Sequence, residues 1–174
     1  YGQRNLKIFK NDGGNLSLDT TQLNLIPLFP CMVNWVDLNN DGYLDLVSVG
    51  ADSNAVIKIN TYINDSSYVL KFSDKWSSEQ YGVTAGAFDF GDYNDDGLID
   101  FSILGLNSNS EPVCKIITNS IDGFSKEEGH ELRGLFNGRP TWGDYDNDGD
   151  LDLLISGLSS TADGGRDPFT SIYY

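Results

Sequence analysis

The stretch Asp144-Tyr145-Asp146-Asn147-Asp148-Gly149-Asp150-Leu151-Asp152 decides how this chain is read. Counted from Asp144, carboxylates fall at positions 1, 3, 5 and 9, and glycine at position 6. Side chains at alternate positions of a short loop converge on one point. Glycine permits the sharp turn, and position 7 offers its backbone carbonyl, so the spacing suits an oxygen-preferring cation. Aspartates this close repel one another, and without a cation the loop is electrostatically strained. The apolar run Leu151-Asp152-Leu153-Leu154-Ile155-Ser156-Gly157 follows at once.

The loop occurs twice upstream, as Asp37-Leu38-Asn39-Asn40-Asp41-Gly42-Tyr43-Leu44-Asp45 and Asp92-Tyr93-Asn94-Asp95-Asp96-Gly97-Leu98-Ile99-Asp100. Its first aspartates, Asp37, Asp92 and Asp144, lie 55 and 52 residues apart. A period in this range indicates a repeat architecture. Trp35, Phe90 and Trp142 stand two residues before each loop, and Gly50, Gly105 and Gly157 close the run after it. A bulky residue at a fixed repeat phase is expected in the core. The other reading makes these aromatics a stacking surface for sugar.

Taken in order, Asn5 to Lys10 alternates apolar and polar residues as a half-exposed strand does, and Asn11-Asp12-Gly13-Gly14 signals a turn. Leu16 to Leu28 is expected to carry another strand or two before Pro27 and Pro30 interrupt it. Leu44 to Val49 has apolar residues on both faces and suits a strand covered on both sides. Ala55 to Ile63 and Tyr68 to Phe72 are the next strands. The second unit repeats the plan with Thr84 to Gly91, Phe101 to Leu104, Val113 to Thr118 and a fourth strand after Asp122-Gly123. Lys126 to Arg133 reads as a helical turn or a loop, and Pro168 to Tyr174 as a third strand again. Matching Asn11-Asp12 to Asn64-Asp65 gives a shift of 53 residues, which places equivalent strands at the two ends. The expected division is one repeat region over 1–174, with units at roughly 1–30 (partial), 31–83, 84–138 and 139–174 (partial).

These loops and the apolar run ending in glycine resemble the FG-GAP repeats of integrin alpha chains and the related VCBS-type repeats of bacterial secreted proteins. Gly143 to Leu154 is especially similar to the bacterial form, and Phe90-Gly91 retains the phenylalanine-glycine pair. The resemblance covers almost the whole chain. It implies an all-β, propeller-type fold of four-stranded blades, about three of them here, as part of a larger ring that in the family usually has seven. It also implies calcium in each loop and an extracellular, secreted or cell-surface location.

The residues point to calcium on their own account. An EF-hand needs a bidentate glutamate at position 12 and flanking helices. Position 12 is Ser48, Ile103 and Ile155, and the flanks read as strands. The expected ligands are Asp37, Asn39, Asp41, Tyr43 and Asp45; Asp92, Asn94, Asp96, Leu98 and Asp100; and Asp144, Asp146, Asp148, Asp150 and Asp152. Position 7 acts through its carbonyl. An all-oxygen set suits Ca²⁺, with Mg²⁺ as runner-up, and no Cys/His cluster points to zinc. The bland alternative is a set of metal-free Asx turns. The third loop, with four side-chain carboxylates, is expected to bind tightest.

The 174 residues include 26 acidic and 11 basic ones, a net charge of −15. That argues against nucleic acid and against docking to anionic lipid. Twelve of the 26 acidic residues lie in the three loops, and one divalent ion in each would bring −15 to −9. No run of 18 apolar residues suggests a membrane-spanning helix. The opening Tyr1-Gly2-Gln3-Arg4 shows no signal peptide, which suggests a mature or excised piece of a longer chain. Cys31 and Cys114 fall at different repeat phases and read either as one disulfide or as two free thiols. Asn15-Leu16-Ser17 and Asn64-Asp65-Ser66 match the N-glycosylation pattern.

No catalytic constellation stands out. His130, the one histidine, lies in a charged segment, and there is no nucleophile elbow or phosphate-cradling glycine loop. Carboxylates inside the loops are committed to metal, and a metal wrapped by protein has no position open for substrate. The expectation is a non-enzymatic, calcium-stabilised extracellular module for adhesion or protein interaction. Its partners would be a protein or glycan at the cell surface and further blades or neighbouring chains. Two alternatives stand beside it. One is a lectin-like propeller, with Tyr62, Trp76, Tyr81 or Tyr173 stacking on sugar. The other is a structural segment of a filament or larger secreted protein.

Overall fold

The computed structural model describes residues 6–22, 24–126, 130–161 and 164–174. Strand makes up 49% of it and helix 0%. A short hairpin comes first, β1 (Phe9–Asp12) with β2 (Asn15–Leu18). Three antiparallel meanders follow. The first is β3 (Met32–Val36), β4 (Asp45–Ala51), β5 (Ile57–Ile63) and β6 (Lys71–Phe72). The second is β7 (Thr84–Gly91), β8 (Asp100–Leu106), β9 (Pro112–Thr118) and β10 (Ser125–Lys126). The third is β11 (Phe136–Gly143), β12 (Asp152–Ser160) and β13 (Arg166–Tyr173). Neighbours in sequence are neighbours in each sheet, as in a propeller blade.

The blades stack through their faces. In β4 and β8 every residue from the initial aspartate to the glycine is buried, because alternate side chains serve opposite neighbours. Val47 and Val49 of the first blade join Phe88, Phe101, Ile103 and Ile117 of the second in one cluster. Leu104 and Ile116, on the other face of the second blade, join Leu135, Leu153 and Ile155 of the third. In β12 Leu153 and Ile155 are buried while Leu154 and Ser156 are exposed, so one face of this strand is covered.

In the second and third blades the first strand bulges where it enters. Register shifts at Ala85–Gly86 in β7 and Asn137–Gly138 in β11, with φ at +50° and +48° at Ala85 and Asn137. A Cβ at Gly86 would lie 1.8 Å from the Leu104 carbonyl oxygen, and one at Gly138 2.0 Å from that of Ser156. Glycine is therefore required for the bulge to press onto the second strand.

Several expectations need correction. Gly50, Gly105 and Gly157 do not close the run; each lies inside its strand, opposite the entering chain, where a Cβ on Gly50 would meet the Pro30 oxygen at 2.2 Å. The stretch after Leu18 up to Cys31 carries no strand among its described residues, of which Leu23 is not one. Residues 6–8 precede β1 and lie outside it, and Asn5 is outside the described residues. Asn11 and Asp12 are strand residues of β1, whereas Asn64 and Asp65 sit in the turn after β5, so the match at 53 residues does not place equivalent strands at the two ends. Instead Leu6, Ile8 and Leu25 pack onto Leu46, Tyr62 and Leu70, covering the first blade's free face. Tyr68 lies in a turn with φ +56°, and the fourth strand shrinks to Lys71–Phe72. Of the segment from Lys126 to Arg133, residues 127–129 are outside the described residues, and 130–133 form no regular element. Both cysteines are free thiols. No helix among the described residues is long and apolar enough to cross a membrane.

Candidate cation-binding loops

Each loop joins the first strand of a blade to the second, and its ninth residue is the first residue of that second strand. The backbone is shaped by two left-handed residues. Position 4 is Asn40, Asp95 or Asn147, at φ +56°, +58° and +61°, and position 6 is Gly42, Gly97 or Gly149, at +85°, +84° and +103°. Asparagine, aspartate and glycine tolerate this conformation best. Position 4 was not singled out from the sequence, although its restriction to Asn and Asp carries the signal.

Hydrogen bonds inside the loops repeat as well. Asp37 accepts the amides of Asp41 and Gly42 at 3.0 and 2.8 Å. Asp92 accepts those of Asp96 and Gly97 at 3.1 and 2.9 Å, and Asp144 that of Gly149 at 3.2 Å. The fifth-position carboxylates accept the amide two residues on: Tyr43 to Asp41 at 2.9 Å, Leu98 to Asp96 at 2.8 Å, Asp150 to Asp148 at 3.0 Å. The structure thus ties the carboxylates at positions 1 and 5 to the loop's own backbone amides, position 5 in Asx-type turns that hold the backbone of Tyr43, Leu98 and Asp150.

The ninth residue differs from the other expected ligands in being buried. Asp45 and Asp100 are fully buried and Asp152 nearly so. Asp45 accepts the amides of Leu38 and Asn64 at 3.0 and 2.8 Å. Asp100 accepts those of Tyr93 and Asn119 at 3.4 and 2.7 Å, and Asp152 that of Tyr145 at 2.7 Å. Burial pushes the Asp45 and Asp100 carboxyls up to about 6, against the pull of these amides, with smaller pushes from the other loop aspartates. Asp146 is raised by desolvation and by Asp148, Asp152 and Asp144.

Two observations test whether these residues fit a cation. In the third loop, oxygens of Asp144, Asp146 and Asp152 lie within 4.8 Å of one another, the one such group of three among the described residues. In the first loop, Asn39 donates to Asp41 at 2.9 Å, while its carbonyl Oδ1 is buried with no hydrogen-bond partner. The third loop thus gathers three carboxylates and the first leaves one amide oxygen unpaired, donors that suit a hard cation, whereas the carboxylates of the first and second loops form no such group of three among the described residues.

The aromatic candidates fare unevenly. Phe90 and Trp142 pack partly buried against the preceding blade's cluster, as core residues do. Trp35 is instead 45% exposed, because the segment that covers the first blade meets Leu46, Tyr62 and Leu70. Tyr62, Trp76 and Tyr81 are buried and cannot stack on a sugar from solvent; Tyr173 is half-buried. His130 lies exposed, 3.3 Å from the Tyr93 hydroxyl, with no acid or nucleophile among its described partners.

A sequence model of the FG-GAP-like repeat family matches residues 37–103, which run from the first residue of the first loop to the middle of β8. Comparisons with curated proteins and with solved structures give no match.

Proposed function

We propose that this FG-GAP-type repeat protein is a calcium-stabilised extracellular interaction module, without enzymatic activity. The family's repeats are typically structural or interaction modules. The observation that carries the reading is the third loop, where three carboxylates converge within 4.8 Å on a backbone turned to receive an ion.

Calcium would be held by Asp37, Asn39, Asp41, Asp45 and the Tyr43 carbonyl in the first loop. In the second, Asp92, Asn94, Asp96, Asp100 and the Leu98 carbonyl would hold it. In the third, the ligands would be Asp144, Asp146, Asp148, Asp152 and the Asp150 carbonyl. When bound, the ion neutralises clustered carboxylates and supplies no reactive centre. The chain's own contribution is to fix the start of each blade's second strand. The ninth residue is ligand and strand residue at once, so a held carboxylate is a held strand. Binding to partners then falls to the exposed loops and edges, which the rigid blades present. Adhesion to a protein surface is favoured over a lectin role because, of the seven candidate stacking aromatics, Tyr62, Trp76 and Tyr81 are buried and Trp35 alone is exposed.

Thermal unfolding with and without EDTA, together with calorimetric Ca²⁺ titration, tests this. A ligand at about 100 times its Kd contributes about 2.7 kcal/mol per site. At about 2–4 °C per kcal/mol for a chain of this size, removing one ion lowers Tm by roughly 5–11 °C. Single-loop variants should show the third loop binding tightest. An unchanged Tm in EDTA, with no heat on adding calcium, refutes the reading.

A further inference from the structure

One buried side chain joins two loops that belong to different blades. Asn119, 2% exposed, follows β9. Its backbone amide donates to Asp100 Oδ1 at 2.7 Å, at the ninth position of the second loop. Its Nδ2 donates to the Leu38 carbonyl at 2.7 Å, at the second position of the first loop. Leu38, itself buried, donates its own amide to Asp45 Oδ2 at 3.0 Å. The Trp76 indole donates to Asn119 Oδ1 at 2.8 Å and so fixes which way the amide faces. Asp45, Leu38, Asn119 and Asp100 therefore form one continuous chain of hydrogen bonds across the blade boundary. Such buried networks are strong when every member is satisfied, and a displaced member disturbs its neighbours.

The repeat supplies its own comparison. Asn64 stands 19 residues after Asp45, as Asn119 stands 19 after Asp100. Asn64 also donates its backbone amide to its ninth-position aspartate, at 2.8 Å. Its Nδ2, however, turns back to the Leu44 carbonyl of its own loop at 3.1 Å, and its Oδ1 is buried without a partner. The position is thus set up to clip a blade's loop to the loop before it, and Asn119 has that loop within reach.

We propose that Asn119 is a positioning residue that couples the first and second loops, so that a cation held in one raises the affinity of the other. The inference rests on the calcium reading above. A cation on Asp100 fixes that carboxylate, and with it the Asn119 amide and the Leu38 carbonyl. Asp45 is then ordered before its own ion arrives. Coupling of this kind is reciprocal and is typically about 5- to 150-fold in affinity, and a single buried side chain is expected toward the low end. Asp152 accepts the amide of Tyr145, in its own loop, and the second loop meets the approach to the third through the stacked rings of Tyr93 and Trp142.

The test is calorimetric Ca²⁺ titration of the full chain with the third loop silenced by Asp148→Asn. Silencing the second loop as well, with Asp96→Asn, should weaken the first by about tenfold. With Asn119→Ala the same silencing should leave the first loop's affinity unchanged within about twofold. Trp76→Phe, which removes the orienting donor together with part of a buried ring, should reduce the coupling while the protein stays folded, and it decides the matter if Asn119→Ala does not fold. An independent readout is the Asn119 side-chain and Trp76 indole NMR signals. In the Asp96→Asn, Asp148→Asn protein they should shift in step with filling of the first loop. Absence of coupling in the wild type, coupling unchanged in both variants, or NMR signals that ignore the first loop would overturn the proposal. Failure of every loop to bind calcium would instead overturn the calcium reading beneath it.

Discussion

Replacing Phe101 by alanine measures how firmly the first two blades hold each other. Phe101 is the second residue of β8, next to Asp100, and is fully buried. Its ring meets Phe124 at 5.0 Å, Phe90 at 5.6 Å and Phe88 at 6.3 Å between centroids, tilted or edge-on. It shares a cluster with Val47, Val49 and Ile59 of the first blade. A buried phenylalanine cut to alanine loses the transfer free energy of its ring and leaves a cavity, together about 3–5 kcal/mol. The ring contacts are part of that figure, at about 0.5–1.5 kcal/mol per pair. Strands on both sides hydrogen-bond to β8, so collapse into the cavity is limited and the upper half of the range is expected, about 4 kcal/mol. In Tm this is roughly 8–16 °C. Urea unfolding at saturating calcium and again in EDTA would measure it, with Ile121→Ala as control. Ile121 is 83% exposed, and its truncation should stay within about 0.5 kcal/mol. The loss should be similar with and without calcium, because the ring stabilises the sheet rather than the loop. A loss below about 1 kcal/mol, or one no larger than the control, would mean that the two blades do not share this core.

Two further outcomes are expected. Gly97→Ala adds a methyl group with nothing within 4 Å, at φ +84°, so its effect is backbone strain alone. It should cost about 1–2 kcal/mol in urea unfolding, whereas Gly143→Ala, with open space and no left-handed φ, should be near neutral. Asp19 is held at about 2, below its ordinary 3.8, chiefly by the hydroxyl and amide of Thr21, with Lys10 adding to it. A carboxylate depressed in the folded state stabilises above the unfolded value and loses that contribution as pH falls toward 2. The stability gap between wild type and Asp19→Asn should therefore close between pH 4 and 2, and a gap that is flat across this range would contradict the assignment.

The loops were legible because each position answers a local demand. Alternate carboxylates, the glycine turn and the strand after it need nothing from elsewhere in the chain, and the period of 55 and 52 residues fixed the number of blades. What could not be read depends on partners far away in sequence. Trp35 has the phase of a core residue, yet it is exposed because the covering residues Leu6, Ile8 and Leu25 meet Leu46, Tyr62 and Leu70 instead. Tyr62, Trp76 and Tyr81 look alike to a sequence reader, but Tyr62 is buried under that covering segment and Trp76 and Tyr81 in the core between the first two blades. Asn119 reaches Leu38 across 81 residues. Its only trace in the sequence is the shared spacing of 19 residues with Asn64.

The ninth position shows why the loops belong to the architecture. A solvent-exposed carboxylate is a poor strut, since water satisfies it in any orientation. Asp45, Asp100 and Asp152 are buried at the first residue of a central strand, and each accepts the second-position amide of its own loop. Burying a carboxylate without a countercharge disfavours the fold, as the raised Asp45 and Asp100 groups register. An apolar residue there would avoid the penalty and leave the loop untethered. Under the calcium reading proposed above, a cation would offset the burial, and the same contact would fix the loop, the strand and, through Asn119, the neighbouring blade. The ion would then serve as a fastener, leaving the exposed surface free for binding.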